Sequence, residues 1–502
     1  MISGFTYQFL TLILSFVART VFIHTLGAEY LGLNGIFSDV LNLLSMADLG
    51  FNTTMAYSFY KPLAEHDEEK LAGLIHFYKK VYNVIAVVVT VVGIAVIPFL
   101  KYIVNTEQEI PHLAVYYLFS LANVVISYLF VYKSTILTAD QKNYKVVNIS
   151  IWTSLLKTIL QIFSLLLLQN YILYLAVDIG TTIVKNLIFC RIVDRRYPYL
   201  KDKNVRKLDP EVRKSLFTNI KALFLGKVGY IISQCSDNLV ISSLVSVTAV
   251  GMYSNYTTLI TSVSGFVTTF SSGVTASMGN LIASETKERA YEVYKRVDFI
   301  NYWLYTFTAT CLLCLVEPFV AIWLGQDFVL TKAILILAVA IYYFKGISSG
   351  IDIAKNAAGL YYPDRFIPMA EAIANMVISI VLAKRYGIAG VLFGTLVSFL
   401  ALSFWAKPYF VCRDVFEVSF ARYAVREGRE IVVSVLVAAG TWYAVSLVSL
   451  ENVLLRFGVK ALLALALSNG LLLLVYFKTS EFQYLRGLLE SAANRIGKRE
   501  KA

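Results

Sequence analysis

The sequence predicts an all-α integral membrane protein with 14 transmembrane helices, arranged as two consecutive six-helix repeats followed by two extra C-terminal helices. The 502 residues are 58% hydrophobic and only 16% charged, whereas soluble domains are typically about 45–50% apolar and about 25% charged. Apolar runs of membrane-spanning length recur along the chain, and basic residues are unequally distributed between the intervening loops. This composition excludes an ordinary soluble enzyme, a disordered chain and a fibrous protein.

Fourteen apolar runs are long enough to cross a bilayer, which takes about 20 helical residues. We predict spans at 2–24, 33–58, 81–104, 112–137, 147–169, 171–193, 216–243, 248–281, 297–324, 331–357, 363–384, 387–411, 429–450 and 457–477. Because this number is even, both termini should lie on the same side of the membrane.

The distribution of basic residues supports this topology. With the N-terminus inside, and with cations within four residues of a span end counted in the adjoining loop, the inner loops carry 33 of the 45 Lys and Arg residues, the outer loops carry 6 and the spans carry 6. Membrane proteins concentrate Lys and Arg in cytoplasmic loops. The net charge of +12 therefore indicates orientation, with both termini cytoplasmic, and does not predict a nucleic-acid partner.

Short motifs recur about half a chain apart. Gly32 begins the second span as Gly251 begins the eighth, and Tyr171 begins the sixth as Tyr386 begins the twelfth. Parallel repeats of this kind occur in transporters that rock two halves around a midplane site. We predict an N-terminal lobe at 1–205, part of a basic cytoplasmic linker at 206–215, a C-terminal lobe at 216–412, helices 13 and 14 at 413–478 and a cytoplasmic tail at 479–502.

Six basic residues lie at least five residues from either end of a predicted span, and a cation at the centre of a span costs about 2.5–3.5 kcal/mol on insertion scales. They are Arg19, Lys157, Lys185, Lys221, Lys227 and Lys345. Such residues are retained mostly where they face a wet cavity or an ionic partner, although a cation near a span end can also reach the membrane surface.

Four of these cations share a helical stripe with other polar residues, at spacings of three, four or seven. The stripes are Gln8, Thr11, Ser15 and Arg19; Ser150, Ser154, Lys157 and Gln161; Lys227, Tyr230, Gln234 and Asp237; and Lys345, Ser349, Asp352 and Asn356. Cations in one cavity suit an anionic substrate, since Arg and Lys both bind phosphate oxygens. We predict that the substrate is bound by Arg19, Lys157, Lys227, Lys345 and Gln234.

Four acidic residues accompany these cations: Asp48, Asp178, Asp237 and Asp352. Two roles are open for them: pairing with a nearby lysine, or binding H⁺ or Na⁺ to couple transport to an ion gradient. The four histidines show no metal-ligand spacing, and no glycine-rich phosphate loop occurs. We therefore expect no catalytic residues, no metal and no cofactor other than such a gradient.

Five short segments carry a family resemblance: LGAEYLGL at 26–33, ADLGF at 47–51, DNLVIS at 237–242, VGMY at 250–253 and YGIAGVLFGT at 386–395. They resemble segments of the Wzx-type polysaccharide flippases of the MATE-like (MOP) superfamily. Their order and spacing extend the resemblance over nearly the whole chain. Arg19, near the end of the first span, matches the family by position, whereas Lys157, Lys227 and Lys345 are inferred from their stripes alone.

The resemblance implies a non-enzymatic transporter of the bacterial cytoplasmic membrane. It would flip a polyprenyl-diphosphate-linked oligosaccharide by alternating access for cell-surface polysaccharide biosynthesis, in contact with membrane lipid and with a glycan polymerase as a partner. Two alternatives stay open. A MATE-type cation-coupled multidrug antiporter would favour acidic residues in its cavity, and a membrane glycan polymerase would need large outer loops.

Overall fold

The structure, a computed structural model, describes residues 2–48, 51–106, 110–201, 210–360 and 363–487. Within these ranges every regular element is a helix and no β-strand occurs, which confirms the predicted all-α class. Residues 206–209 of the predicted linker and 488–502 of the predicted tail lie outside the described residues.

The chain forms two compact units, Met1–Ser254 and Asn255–Ala502. The first unit comprises α1 (Ile2–Leu44), α2 (Phe51–Ala64), α3 (Glu68–Val96), α4 (Leu100–Ile103), α5 (Leu113–Tyr128), α6 (Val131–Ala139), α7 (Asn143–Leu168), α8 (Tyr171–Arg196), α9 (Pro210–Leu244) and the first turns of α10 (Val247–Ser284). The boundaries predicted for the two lobes stay predictions.

The second unit begins within α10. It continues with α11 (Lys287–Trp323), α12 (Lys332–Ala357), α13 (Ile367–Ser398), α14 (Phe404–Val411), α15 (Phe420–Ser446) and α16 (Val453–Tyr476). Short 3-10 and π-helical turns extend several of these helices, among them Phe399–Ser403 and Cys412–Phe416.

Eight helices among the described residues are long and apolar enough to cross a membrane. The number is nine when α5 and α6, which are bent by 45° relative to each other, are taken as one span. The protein is therefore a multi-pass membrane protein, and the total of 14 spans stays a prediction.

Two glycines divide long helices where the sequence predicts a break between spans. Gly27 has φ 86° within α1, and Gly387 has φ 57° within α13. Residues that carry a Cβ are strained at such positive φ values, whereas glycine is not. The predicted first and second spans are therefore separated at Gly27, and the predicted eleventh and twelfth at Gly387.

Polar side chains fix several helix starts. The side chain of Asp67 accepts a hydrogen bond from the Lys70 backbone nitrogen at 2.9 Å before α3, and Asn170 accepts from the Ile172 nitrogen at 2.8 Å before α8. Capping of this kind satisfies backbone N–H groups that have no partner within the helix.

Several helices begin well before the apolar runs that predict them, among them α3, which starts at Glu68 although its span is predicted from 81. α11 starts at Lys287 and α15 at Phe420, whereas their spans are predicted from 297 and 429. Arg422 and Arg426, predicted in an inner loop, thus lie in the first turns of α15, and their side of the membrane stays a prediction. Mean hydropathy misses these first turns because they are amphipathic: Arg422 is exposed, while Tyr423 and Glu427 are buried.

Candidate functional site

Arg19 lies in the first part of α1, two turns before the break at Gly27. Its Nη2 donates a hydrogen bond to Ser254 Oγ in α10, and the Ser254 hydroxyl donates to the Gly251 carbonyl oxygen at 2.6 Å. The guanidinium also lies within electrostatic range of Tyr174 in α8. Arg19 is thus a half-buried cation held between α1 and α10, close to α8.

Lys157 and Asp178, both predicted as site residues, form an ion pair between α7 and α8. The Lys157 Nζ lies 2.5 Å from Asp178 Oδ1, and the two side chains are 36% and 26% exposed. Lys185, two turns further along α8, lies within electrostatic range of both. The carboxylate offsets part of the charge of the two lysines, which is the pairing role left open by the sequence.

Asp178 also borders a cavity of about 290 Å³ between α1, α5 and α8. The polar side chains that share this lining are Asn34, Ser38, Asn42, Ser120 and Asn123. Asn34 Oδ1 accepts a hydrogen bond of 2.6 Å from the Tyr171 hydroxyl. The cavity can therefore hold a neutral hydrogen-bonding group, such as a hydroxyl, next to one carboxylate.

These cavity residues were not identified from the sequence. Asn34, Ser38 and Asn42 follow one another at intervals of four on α1, and Ser120 and Asn123 are three apart on α5. This spacing puts each set on one helical stripe. This spacing is visible in the sequence, but a prediction based on intramembrane cations does not include uncharged stripes.

The third predicted stripe lies on α9. Gln234 is exposed and Asp237 is partly buried, and Asp237 lies within electrostatic range of Asp39. Asn238 donates a hydrogen bond of 2.7 Å to Asp39 Oδ2, so α1 and α9 are joined at this level. The side chain of Lys227 lies outside the described residues.

Asp48 ends the 3-10 turn Ser45–Asp48 that follows α1. Its carboxylate lies within electrostatic range of the Tyr82 and Tyr128 hydroxyls. Both tyrosines are almost completely buried. The structure thus places Asp48 with α3 and α5, apart from Lys157 and Asp178.

Lys345 and Asp352 lie on α12 in the second unit. Asp352 Oδ1 pairs with Lys407 Nζ of α14 at 3.0 Å. Lys345 is partly buried and forms no ion pair with any described residue. The partner of Asp352 is thus Lys407 of α14 and not Lys345 of its own stripe.

A buried charge cluster joins α11 to α15 and was not predicted. Arg426 Nη2 contacts Asp298 Oδ2, and Arg426 Nε lies 3.8 Å from Glu430 Oε1. Asp298, Glu427 and Glu430 are 6%, 4% and 5% exposed. Burying charges without partners is costly, so Arg426 is the cation that makes this cluster tolerable.

The predicted site residues therefore fall into separate groups. Lys157 and Asp178 are in direct contact, and Arg19 reaches the same helix, α8, through Tyr174. Asp48 and Gln234 lie elsewhere in the first unit. Over the described ranges, no three His, Cys, Asp or Glu side chains are grouped so as to hold a metal ion.

Comparison with known proteins gives both a family and a fold. Residues 1–276 match the family described as polysaccharide biosynthesis protein. No curated protein sequence is significantly similar to the chain.

Solved structures share the fold at low sequence identity. The lipid II flippase MurJ in an inward closed conformation matches with a TM-score of 0.65 and 15% identity, over 95% of this chain and 99% of that one. A mutant of the Vibrio cholerae MATE transporter VcmN gives 0.58 and 15%, over 82% and 95%. An inward-facing multidrug resistance MATE transporter of the MOP superfamily gives 0.56 and 11%, over 80% and 95%. The chain thus shares the fold of these transporters, and the predicted MATE-like fold is confirmed.

Proposed function

The chain belongs to the polysaccharide biosynthesis protein family, and from that premise we propose that it flips a polyprenyl-diphosphate-linked oligosaccharide across the bacterial cytoplasmic membrane. The family match over residues 1–276 is the observation that carries the proposal. The MOP-type fold is consistent with it, because this fold also occurs in a flippase and in multidrug transporters. Multiple apolar helices fit a protein that works within the bilayer.

The diphosphate of such a cargo requires cations at membrane depth. We assign this role to Arg19 and Lys345 first, since Arg19 presents a planar fork and Lys345 has no acidic partner among the described residues. Lys157, Lys227 and Gln234 complete the proposed substrate-binding set. Lys157 would act with its charge moderated by Asp178.

The acids divide into two groups under this proposal. Asp178 and Asp352 serve as partners of Lys157 and Lys407. Asp48 and Asp237 are the candidates for binding H⁺ or Na⁺, should transport be coupled to a gradient. Intramembrane carboxylates commonly have this role in transporters.

The proposed mechanism is alternating access of two six-helix repeats. The diphosphate and sugars would cross in a cationic cavity while the polyprenyl tail stays in lipid. Moving the tail into protein would gain little, because lipid is already as apolar as a protein interior. Both termini would face the cytoplasm. The glycan polymerase expected as a partner is not required for the flipping step itself.

The test is a leaflet-accessibility assay. Proteoliposomes containing the purified chain and a fluorescently labelled polyprenyl-diphosphate oligosaccharide would be treated with a membrane-impermeant quencher. We expect the label to exchange between leaflets only when the protein is present. Equal exchange in empty liposomes and proteoliposomes would refute the proposal, and Na⁺-dependent efflux of a cationic drug without glycan exchange would establish the multidrug antiporter instead.

A further inference from the structure

A pocket of about 780 Å³ lies in the first unit where α2, α6 and α8 end and α3 and α7 begin. We call it the basic end pocket and define it by Lys142, Lys145, Arg195, Arg196, Tyr197 and Tyr199, which line it together with His66 and the acids Glu68 and Asp140. All these residues lie in segments that the topology predicts on the cytoplasmic side. None belongs to the intramembrane site described above.

Asp140 contacts three other residues of the pocket lining. Its carboxylate pairs with Lys142, accepts a hydrogen bond from the Tyr197 hydroxyl and lies 3.8 Å from Arg196 Nε. Burial alone would raise the pKa of Asp140, but the contacts with Lys142, Tyr197 and Arg196 outweigh it and lower the pKa. Asp140 is therefore ionised near neutral pH and holds two cations and one phenol in place.

Two further cations of the lining, Lys145 and Arg195, contribute positive charge. Lys145 and Arg195 form no ion pair with any residue in the described part of the chain. The four Lys and Arg residues of the lining exceed Glu68 and Asp140 by two positive charges. Surface cations are usually solvated and dispersed, so their convergence on one concave space favours an anionic ligand.

The size and the aromatic lining of the pocket limit the class of ligand that it can bind. A volume of about 780 Å³ falls in the range of about 300–1,000 Å³ that drug-sized ligands occupy, and is far larger than one phosphate needs. The Tyr197 and Tyr199 rings pack edge to face at 6.1 Å between centroids. Burial raises the pKa of Tyr199 to about 12, so its hydroxyl stays a neutral donor that could bind a sugar.

We propose that the basic end pocket binds a diphosphate ester that carries a sugar. Lys145 and Arg195 contact the phosphate oxygens, and Tyr199 faces the sugar. Two cytoplasmic sources share this chemistry: the head group of the lipid-linked cargo before it is flipped, and a soluble nucleoside diphosphate. The first source rests on the proposed function, whereas the second does not.

The test uses the full chain in nanodiscs of zwitterionic lipid, titrated with inorganic pyrophosphate in a calorimeter. We expect saturable binding that weakens at least tenfold when Lys145→Gln and Arg195→Gln are combined. The charge-conserving pair Lys145→Arg with Arg195→Lys should keep binding within about threefold. Lys79→Gln with Lys80→Gln is the matched control, because it removes the same charge from two exposed residues of α3 that do not line the pocket.

Three results would overturn the proposal: no saturable binding, equal weakening by both Gln double variants, or competition by inorganic phosphate or phosphatidylglycerol as strong as that by pyrophosphate. The source is then decided by competition. Displacement of pyrophosphate by a polyprenyl diphosphate in the nanodisc supports the cargo head group, and displacement by uridine diphosphate supports the soluble ligand. Failure of both to compete would overturn the assignment of the pocket to a diphosphate ester. The binding assay does not depend on transport, so it stays informative even when the flipping assay is negative.

Discussion

Gly251 of α10 lies so close to Gly32 of α1 that a Cβ at position 251 would stand 3.1 Å from the Gly32 backbone nitrogen and would overlap the Ala28 carbonyl oxygen. A Cβ at Gly32 would likewise overlap the Val247 carbonyl oxygen. The two glycines occupy matching positions in the weak sequence repeat. Small residues at helix crossings allow backbones to approach closely in membranes. The close crossing of α1 and α10 therefore explains why glycine stands at both positions of the repeat.

Gly251→Ala should therefore destabilise the first unit. The added methyl group meets backbone atoms, which cannot rotate away, and overpacking of this kind typically costs about 1–3 kcal/mol. Thermal unfolding in detergent measures the change. Gly35→Ala is the matched control, because its Cβ would meet only Val250 Cγ1 at 3.5 Å; equal stability of the two variants would contradict the close crossing.

Arg426→Gln should destabilise the second unit strongly. It leaves Asp298, Glu427 and Glu430 buried without their cation, and breaking a buried pair by removing one partner costs about 3–5 kcal/mol. Thermal unfolding is again the measurement. Arg422→Gln, one turn earlier on the exposed face of α15, should change stability by no more than about 0.5 kcal/mol.

The contrast between Arg422 and Arg426 shows what the sequence could predict and what it could not. Length, apolar runs and charge asymmetry predict the class of fold, because bilayer thickness constrains every span in the same way. The partner of a charged side chain depends on which helices pack together. Neither hydropathy nor spacing within one helix indicates that Arg426 turns inward to Asp298.

The same limit applies to the candidate site. The stripes on α7 and α12 identify Lys157 and Lys345 as intramembrane cations, and the structure places both on their predicted helices. Sequence spacing could not show that Asp178 belongs to Lys157 or that Asp352 belongs to Lys407. Each of these pairs joins two helices, so it becomes visible only when the packing is known.

Stability should respond to pH through Asp140. Its pKa lies below the usual value when folded, despite the opposing effect of burial, because of Lys142, Tyr197 and Arg196. Its stabilising effect is fully present above the pKa of an unfolded Asp, about 3.9, and is lost as pH falls through the lowered pKa. Asp140→Asn should thus be less stable than the parent by about 1 kcal/mol at pH 7, and the difference should disappear in acid. A difference that persists unchanged at low pH would refute an ionic role.

The Lys157–Asp178 pair should show coupling in a double-mutant cycle. Lys157→Asp and Asp178→Lys each place like charges together and should lower both stability and transport. Combining them restores opposite charges at the same two positions, with an expected coupling of about 0.5–3 kcal/mol. Unfolding temperature and leaflet exchange are measured on all four proteins, and strict additivity would mean that the two side chains act independently.

Neutralising Lys227 and Lys345 together should abolish glycan export while membrane expression stays normal. Lys345 has no acidic partner among the described residues, so its replacement by Gln removes a charge without leaving a buried carboxylate behind. Export is measured as surface polysaccharide in cells and as leaflet exchange in proteoliposomes. Lys332→Gln with Lys384→Gln is the matched control, since both residues are exposed at positions predicted on the outer side and their loss should leave export unchanged. Wild-type export by the Lys227→Gln, Lys345→Gln protein would remove both lysines from the substrate site and leave Arg19 as the cation best placed to bind the diphosphate.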